Sequence, residues 1–337
     1  MIKLFRHNMK VAMSAVCKQV QPLLNFQGPI DMKPFYRRKD KVVFVMGATG
    51  TGKSRLAIDL ATHFPGEVIN SDKMQVYKGL NIVTNKVTTD ECREIPHHLL
   101  GFVDPDSDFT ATDFRYHTSL VLRSISGRDR LPIIAGGSNS FIEALVDGDP
   151  EFRSRHECCF LWVDVSLPVL RPFVSERVDR MVEAGLVNEV RNMYSPEADN
   201  TKGIRRAIGV GEMDQYLRIE ATDADDKTKA MFLEASITKI KDNTCLLARD
   251  QRKKIRRLYE MWSWNMHRID ATEVFERRGS KEAADEAWER LVLRPSSMIV
   301  DRFLYDAPST TIISPDMTAT TAIAPPVPMA AVAAATH

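Results

Sequence analysis

Short unbroken apolar runs alternate along this chain with longer stretches in which apolar residues recur every three or four positions. Four runs stand out: 41–46 (KVVFVM), 67–71 (EVINS), 131–137 (LPIIAGG) and 159–165 (CFLWVDV). Runs of this length without polar alternation predict strands buried on both faces, as in a parallel sheet covered by helices. Between the first two, residues 54–64 place Leu56, Leu60 and Phe64 on one stripe with Ala57 and Ala61 beside it. That spacing predicts a helix with one buried face, and Pro65-Gly66 stops it. From Pro168 the period becomes helical. Residues 167–185 keep apolar spacing up to Gly185, and 228–262 read as one long charged helical stretch. The fold class expected is α/β: a P-loop NTPase-like parallel sheet flanked by helices, with a mostly helical C-terminal half. The expected regions are a basic extension (1–40), an α/β core (41–167), a helical region completing an acceptor site (168–302) and a low-complexity tail (303–337).

Composition narrows this picture only at the ends. The 337 residues are 44% hydrophobic and 27% charged with net charge +1, so the whole molecule is not an electrostatic nucleic-acid binder. No apolar run reaches membrane-spanning length, and no membrane partner is expected. The five cysteines form no C-x-x-C pair, which indicates neither a zinc ribbon nor a redox dithiol. Cys158 and Cys159 open an apolar run and read as buried, inert thiols. Residues 1–40 carry Lys3, Arg6, Lys10, Lys18, Lys33, Arg37, Arg38 and Lys39 against Asp31 and Asp40. A basic, acid-poor segment that can be amphipathic reads as an organellar transit peptide; the competing reading is a disordered basic extension. The last thirty or so residues are rich in Ala, Pro, Thr and Ser without period, which predicts a disordered tail.

The strongest chemical signal is Gly47-Ala48-Thr49-Gly50-Thr51-Gly52-Lys53-Ser54. This G-x-x-x-x-G-K-[S/T] pattern lies between a predicted strand and a predicted helix, the context it needs. Backbone N–H groups of such a loop form an anion nest, and the helix adds its positive end. Lys53 supplies a point charge, and Ser54 a hydroxyl suited to Mg²⁺. Asp72 lies just past the second strand, on the ligand side of an open α/β sheet, where it serves as a proton acceptor, a metal ligand or a helix cap. Arg205-Arg206, between glycines in 203–211 (GIRRAIGVG), reads as a phosphate fork or as surface charge. The basic helix 248–258 reads as a solvated face or a phosphate contact. Asp164 resembles a Walker B acid, but many buried strands end in Asp, and a structural acid at the strand end is the favoured reading. His97 and His98 are adjacent, do not suit a shared metal, and are expected in a loop.

Seven ordered segments then carry a resemblance: GATGTGKS, INSDKMQVYKGL, IVTNKV, IPHHLLG, FTATDFR, IIAGGSNSFIEAL and GIRRAIGV. Together they resemble the isopentenyltransferase family from about Lys41 to about Leu291. The resemblance implies transfer of a dimethylallyl group from dimethylallyl diphosphate to N6 of an adenine, with release of diphosphate. Asp72 would then be the general base, Thr49 the donor to the bridging oxygen, and Arg206, with Lys53, Ser54 and Mg²⁺, the counter-charge for the leaving group. Gly136-Gly137-Ser138-Asn139-Ser140-Phe141 resembles the adenylate-accepting branch; the tRNA-accepting branch carries G-G-T-G-L-Y there, and its eukaryotic members often add a zinc finger whose spacing is not found here. ATP or ADP is the expected acceptor, with Lys239, Lys241, Arg249 and Lys253 as candidates for its phosphates, and tRNA is not expected. Gly211 departs from the plant pattern, where proline is commoner. The expected setting is a monomer in the plastid, with mitochondrion or cytoplasm as alternatives. The rival activities are a tRNA dimethylallyltransferase, a small-molecule P-loop kinase and a nucleotide switch.

Overall fold

The computed structural model describes residues 39–262 and 266–306. The predicted transit peptide falls in 1–38 and most of the predicted tail in 307–337, both outside the described residues. The strands are β1 (Asp40–Gly47), β2 (Gly66–Asn70), β3 (His97–His98), β4 (Leu131–Gly136), β5 (His156–Asp164) and β6 (Met266–Asp270), of which β1, β2, β4 and β5 are the four apolar runs. They form one sheet in the order β3-β2-β4-β1-β5-β6, and each neighbouring pair is parallel. The helices are α1 (Lys53–His63), α2 (Ala111–Ser126), α3 (Asn139–Val146), α4 (Phe152–Arg155), α5 (Leu167–Glu183), α6 (Leu186–Met193), α7 (Val210–Glu220), α8 (Asp226–Met261), α9 (Thr272–Glu276), α10 (Lys281–Trp288) and α11 (Arg294–Tyr305).

The unbroken hydrophobicity of β1 follows from its central place. Phe44 and Met46 point into one apolar layer, with Phe114 of α2, Phe160 and Ile255 of α8. Val43 and Val45 point into the other, with Leu56 and Leu60 of α1 and Val300 of α11. Both layers are dry, so neither face tolerates a polar residue. Phe44 stacks on Phe160 with ring centroids 4.6 Å apart, and truncating a core phenylalanine costs about 3–5 kcal/mol.

Three expectations change. Residue 167 is not a boundary in space: from Lys39 the chain forms one unit, and β6, from the expected helical region, pairs with β5. His97 and His98 form the edge strand β3, paired with Val68 and Ile69, where a loop was expected. The fold runs past residue 302, since α11 reaches Tyr305 and Lys41 Nζ donates to the carbonyls of Phe303 and Leu304.

Helix α8 matters most for the site. Its 36 residues begin at Asp226, after the N-cap Asp225, whose side chain accepts the Thr228 N–H. Ile240, Thr244, Ala248, Gln251, Ile255 and Leu258 recur at spacings of three and four on its buried stripe. That stripe carries the helix along the edge where β1 and β4 end, and Gln251 touches both loops.

Candidate active site

The cradle forms where β1 gives way to α1. Thr51 Oγ1 and Lys53 Nζ both donate to the Ala48 carbonyl, at 3.0 and 2.7 Å, which closes the loop on itself. Lys53 is enclosed, and burial pushes its ammonium down to about 8. The Asp72 carboxylate opposes that shift, and the Arg177 guanidinium adds to it. A cradle that holds a lysine this uneasily favours any anion that restores its charge.

Asp72 is held by its own turn. Its N–H donates to Asn70 Oδ1 (3.0 Å), and Asn70 Nδ2 donates to the carbonyls of Asp72 (3.1 Å) and Leu99 (3.0 Å). Oδ1 of Asp72 accepts the Met74 N–H at 2.9 Å, an Asx turn that fixes the carboxylate plane. The second oxygen lies beside Gly137. At Gly136 a Cβ would sit 2.4 Å from the Ser71 carbonyl carbon and 2.6 Å from the Asp72 nitrogen. Only glycine lets the end of β4 pass this close, and the contact sets where Asp72 stands.

Two polar residues that the sequence reading passed over complete the loop. Arg177 of α5 is half-buried and donates from Nη2 to Thr49 Oγ1 at 2.9 Å. Its Nε has no hydrogen-bond partner among the described residues. Burial first, then Arg180, lowers its pKa to about 10, with Asp72 opposing. Gln251 of α8 accepts the Thr49 N–H at 2.7 Å and donates to the Gly137 carbonyl at 3.0 Å. Both have a signal in the sequence. Arg177 lies between Val174 and Val178 of the buried α5 stripe, and Gln251 interrupts the stripe of α8. A long polar side chain at a core position needs a buried partner.

These residues line a cleft with two lobes, of about 340 and 360 Å³. The first lobe has Gly50, Gly52, Lys53 and Ser54 in its wall, with His97 opposite the loop sequence. The second is walled by Met74, Val83, Met181, Ala207, Ile208 and Leu247, and carries Lys73 and Arg206. Thr49, Asp72, Thr84, Asn85 and Arg177 belong to both. Arg206 sits in a 3₁₀ turn (Gly203–Arg206) and donates to Tyr77 Oη and the Gly203 carbonyl, both at 3.2 Å. It therefore lines the apolar lobe and not the cradle, where the resemblance had placed its charge. Arg205 turns away to Asp106 and the Met193 carbonyl. Gly211 lies in the first turn of α7 with open space around it, so its departure from proline leaves the Arg206 turn intact.

Other sequence candidates fall elsewhere. Lys239, Lys241, Arg249 and Lys253 line neither lobe. Lys241 pairs with Asp179 at 2.6 Å and Arg249 with Asp250 at 3.0 Å, while Lys239 and Lys253 are exposed. Asp164 keeps the structural reading and not the Walker B one. Its buried carboxylate takes Arg252 at 2.7 and 3.0 Å and Arg268 at 2.8 Å, so it ties α8 and β6 to β5. Strand alternation separates the two histidines. His97 faces the first lobe with Nδ1 on the Ile95 carbonyl at 2.8 Å, and His98 binds Glu67 at 2.6 Å beside Arg128. Among the described residues no three His, Cys, Asp or Glu side chains converge on one point. Ser54 and Asp72, with Thr49, Asn70 and Glu91, are among the side chains that bring oxygen atoms to the cradle lobe, the ligand type Mg²⁺ takes.

Comparison with known proteins gives the family of the chain. Residues 75–157 and 149–258 match the IPP transferase family. The chain is 59% identical over 334 residues to Arabidopsis thaliana adenylate isopentenyltransferase 5, chloroplastic, covering 97% of this chain and 99% of that protein. It is 55% identical to the mitochondrial adenylate isopentenyltransferase 7 of the same plant (88% and 90% covered) and 46% to the adenylate isopentenyltransferase of Humulus lupulus (77% and 89%). Among solved structures, a eukaryotic dimethylallyltransferase acting on tRNA superposes with TM-score 0.66 at 24% identity, over 80% of this chain and 81% of that one. The tRNA isopentenylpyrophosphate transferase of Bacillus halodurans gives TM-score 0.59 at 24% identity, over 78% and 100%. These two likenesses are of fold.

Proposed function

The chain belongs to the IPP transferase family, and we propose that it is an adenylate dimethylallyltransferase that joins the dimethylallyl group of dimethylallyl diphosphate to N6 of ATP or ADP. The observation that carries the reading is the shared wall: Thr49, Asp72 and Arg177 face both a phosphate cradle and an apolar lobe. The donor's diphosphate takes the cradle, the adenine takes the apolar lobe, and C1 and N6 meet at that wall. The N6 lone pair is delocalised into the ring, so the amine is a weak nucleophile until its proton is removed. Asp72 accepts that proton as the N–C bond forms and the C–O bond breaks; the Asx turn holds one oxygen and leaves the other to the amine. Positioned base catalysis of this kind contributes roughly 10²–10⁴-fold.

The leaving diphosphate gains charge as it departs. Thr49 is set to meet it. Its N–H is held by Gln251 and its Oγ1 accepts from Arg177, so the hydroxyl hydrogen remains for the bridging oxygen. A preorganised donor there favours the transition state over the ground state. Lys53 and Arg177 supply charge from the cradle, and Arg206 from the acceptor side. Mg²⁺, held by Ser54 and diphosphate oxygens, would neutralise further charge on the leaving group. The acceptor's phosphates lie outside the apolar lobe along α8. Lys241, whose neighbours Ile240 and Thr244 line the lobe, leads that group, with Lys239, Arg249 and Lys253 behind it.

The enzyme acts as a monomer in the plastid, a placement supported by the basic N-terminal segment and the chloroplastic relative. The test is to incubate the protein with dimethylallyl diphosphate and ATP, ADP, AMP or tRNA in turn, and weigh the products. Prenylated ATP or ADP with free diphosphate is expected. Product on tRNA alone, or a phosphorylated acceptor, overturns the assignment.

A further inference from the structure

The family match ends at residue 258, yet a side chain thirty residues further on is wedged against the phosphate cradle. Trp288, the last residue of α10, is buried, and its six-membered ring lies over Gly52. A Cβ on Gly52 would meet Cζ3 at 2.7 Å and Cη2 at 2.8 Å. Gly52 is the N-cap of α1, in the left-handed conformation at φ 91°, and no side chain caps that end of the helix. The amides that must face an anion therefore hang on a residue with no side chain and wide conformational freedom. The indole fills the space through which that residue would move.

The indole is itself anchored to the same helix. Its Nε1 donates to Asp59 Oδ2 at 2.9 Å, one and a half turns into α1, and Asp59 Oδ1 accepts from Arg93 at 2.7 Å. Arg55, which lines the cradle lobe, lies over the ring at 4.6 Å from its centroid and reaches Asp285 of α10 at 2.9 Å. Directly after Trp288 the chain makes a π turn (Glu289–Leu293) before α11. Such turns are rare and concentrate near functional sites. Here the turn sits at the residue that presses on the loop.

We propose that Trp288 is a positioning residue for the donor site: the C-terminal helices clamp Gly52 and the first turn of α1, and so hold the loop amides and Lys53 in register for a diphosphate. The inference rests on the donor placement given above. It assigns no chemistry to Trp288, which lines neither lobe of the cleft.

The test measures binding of inorganic diphosphate by calorimetry alongside steady-state kinetics, using the full chain. A loosened cradle should weaken diphosphate, since displacement of positioned groups by about 1 Å costs up to about 10²-fold. For Trp288→Leu we expect diphosphate Kd and donor KM to rise together by roughly tenfold, with acceptor KM unchanged. Asp59→Asn, which keeps the ring and weakens its anchor, should give a smaller shift of the same kind. Diphosphate binding by Trp288→Leu equal to wild type, or equal losses for donor and acceptor, overturns the inference. If Trp288→Leu does not fold, Trp288→Phe is read by the same donor-against-acceptor criterion. Wild-type protein that binds no diphosphate would instead overturn the donor placement itself, and the clamp with it.

Discussion

The two lobes of the cleft are built in opposite ways. The anion nest of the cradle lobe comes from one contiguous piece of chain, within 49–55, and offers backbone amides, a helix end and one lysine, while the rest of that lobe's wall, with Asn70, Glu91, His97 and Arg177, comes from elsewhere. The apolar lobe has no such local centre: it is assembled from seven separated stretches, around Thr49, Met74, Val83, Ser138, Met181, Ile208 and Leu247. A backbone nest is a local object, and eight residues in the right order suffice to build it. A side-chain wall exists only after the fold has brought its parts together. The residues common to both lobes show where the two kinds of construction meet, and the reaction is proposed at that seam. Breaking the seam should therefore cost far more than altering either lobe.

The largest effect is expected at Asp72. Asp72→Asn keeps the shape and the Met74 hydrogen bond but removes the base, so kcat should fall by roughly 10²–10⁴-fold while ATP still binds. Near-normal turnover would remove Asp72 from its role. Thr49→Ala comes next. It deletes the hydroxyl that Arg177 orients, and kcat should drop by roughly 10²–10³-fold with little change in donor KM. A change confined to KM would mean that Thr49 binds the donor in ground and transition state alike. Double-mutant analysis with Gln251→Ala sharpens the point, because contacting residues that act as a unit are not additive.

The same contrast explains what could be read in advance. Strands β1, β2, β4 and β5, helix α1 and the long α8 announce themselves because their burial is regular: unbroken for central strands, stripe-like for helices. Strand β6 does not, since only Met266 and Ile269 of its five residues are buried and no period survives in so short an edge. The two residues of β3 are too few to carry a pattern at all. In the site, the cradle and Asp72 are legible because each follows a strand end. Arg177 and Gln251 are not, because nothing local says that residues 128 and 202 positions beyond Thr49 will hold it. Asp164 shows the converse hazard. Its place after an apolar strand suggested a metal ligand, and only the distant Arg252 and Arg268 reveal a structural ion cluster.

The cradle alone can be probed by pH. Lys53 sits near 8 in the empty protein because burial disfavours its charge, and a diphosphate needs that charge. Donor kcat/KM should therefore fall as pH rises above about 8, by up to tenfold per pH unit, while acceptor KM stays flat. Lys53→Arg should abolish the decline, since a guanidinium keeps its proton throughout. The linkage has a second sign to check. Between about 8 and 10.5 the folded protein holds fewer protons on Lys53 than the unfolded chain. The empty protein therefore gains stability as pH rises through that window, and saturating diphosphate, which restores the proton, should cancel the gain. A donor kcat/KM that is level across the window would separate Lys53 from the diphosphate.

The smallest effect should lie outside both lobes. Lys241 is half-buried against Asp179 at 2.6 Å, beside the mouth residues Ile240 and Thr244. Contacts between partly exposed charges contribute about 0.2–1 kcal/mol and are screened by salt. Lys241→Ala should therefore raise KM for ATP by roughly two- to fivefold and leave AMP nearly unchanged, because only the longer phosphate chain reaches the helix. Raising the salt concentration should shrink the difference. Arg249→Ala and Lys253→Ala, about two and three turns further along α8, should follow in the same direction with smaller changes. Equal effects on ATP and AMP would place the acceptor's phosphates elsewhere, and Lys73 and Arg206, the cations of the apolar lobe, would be the next to exchange. The comparison would then shift: the second lobe would bind anions as the first does, but with side chains in place of backbone.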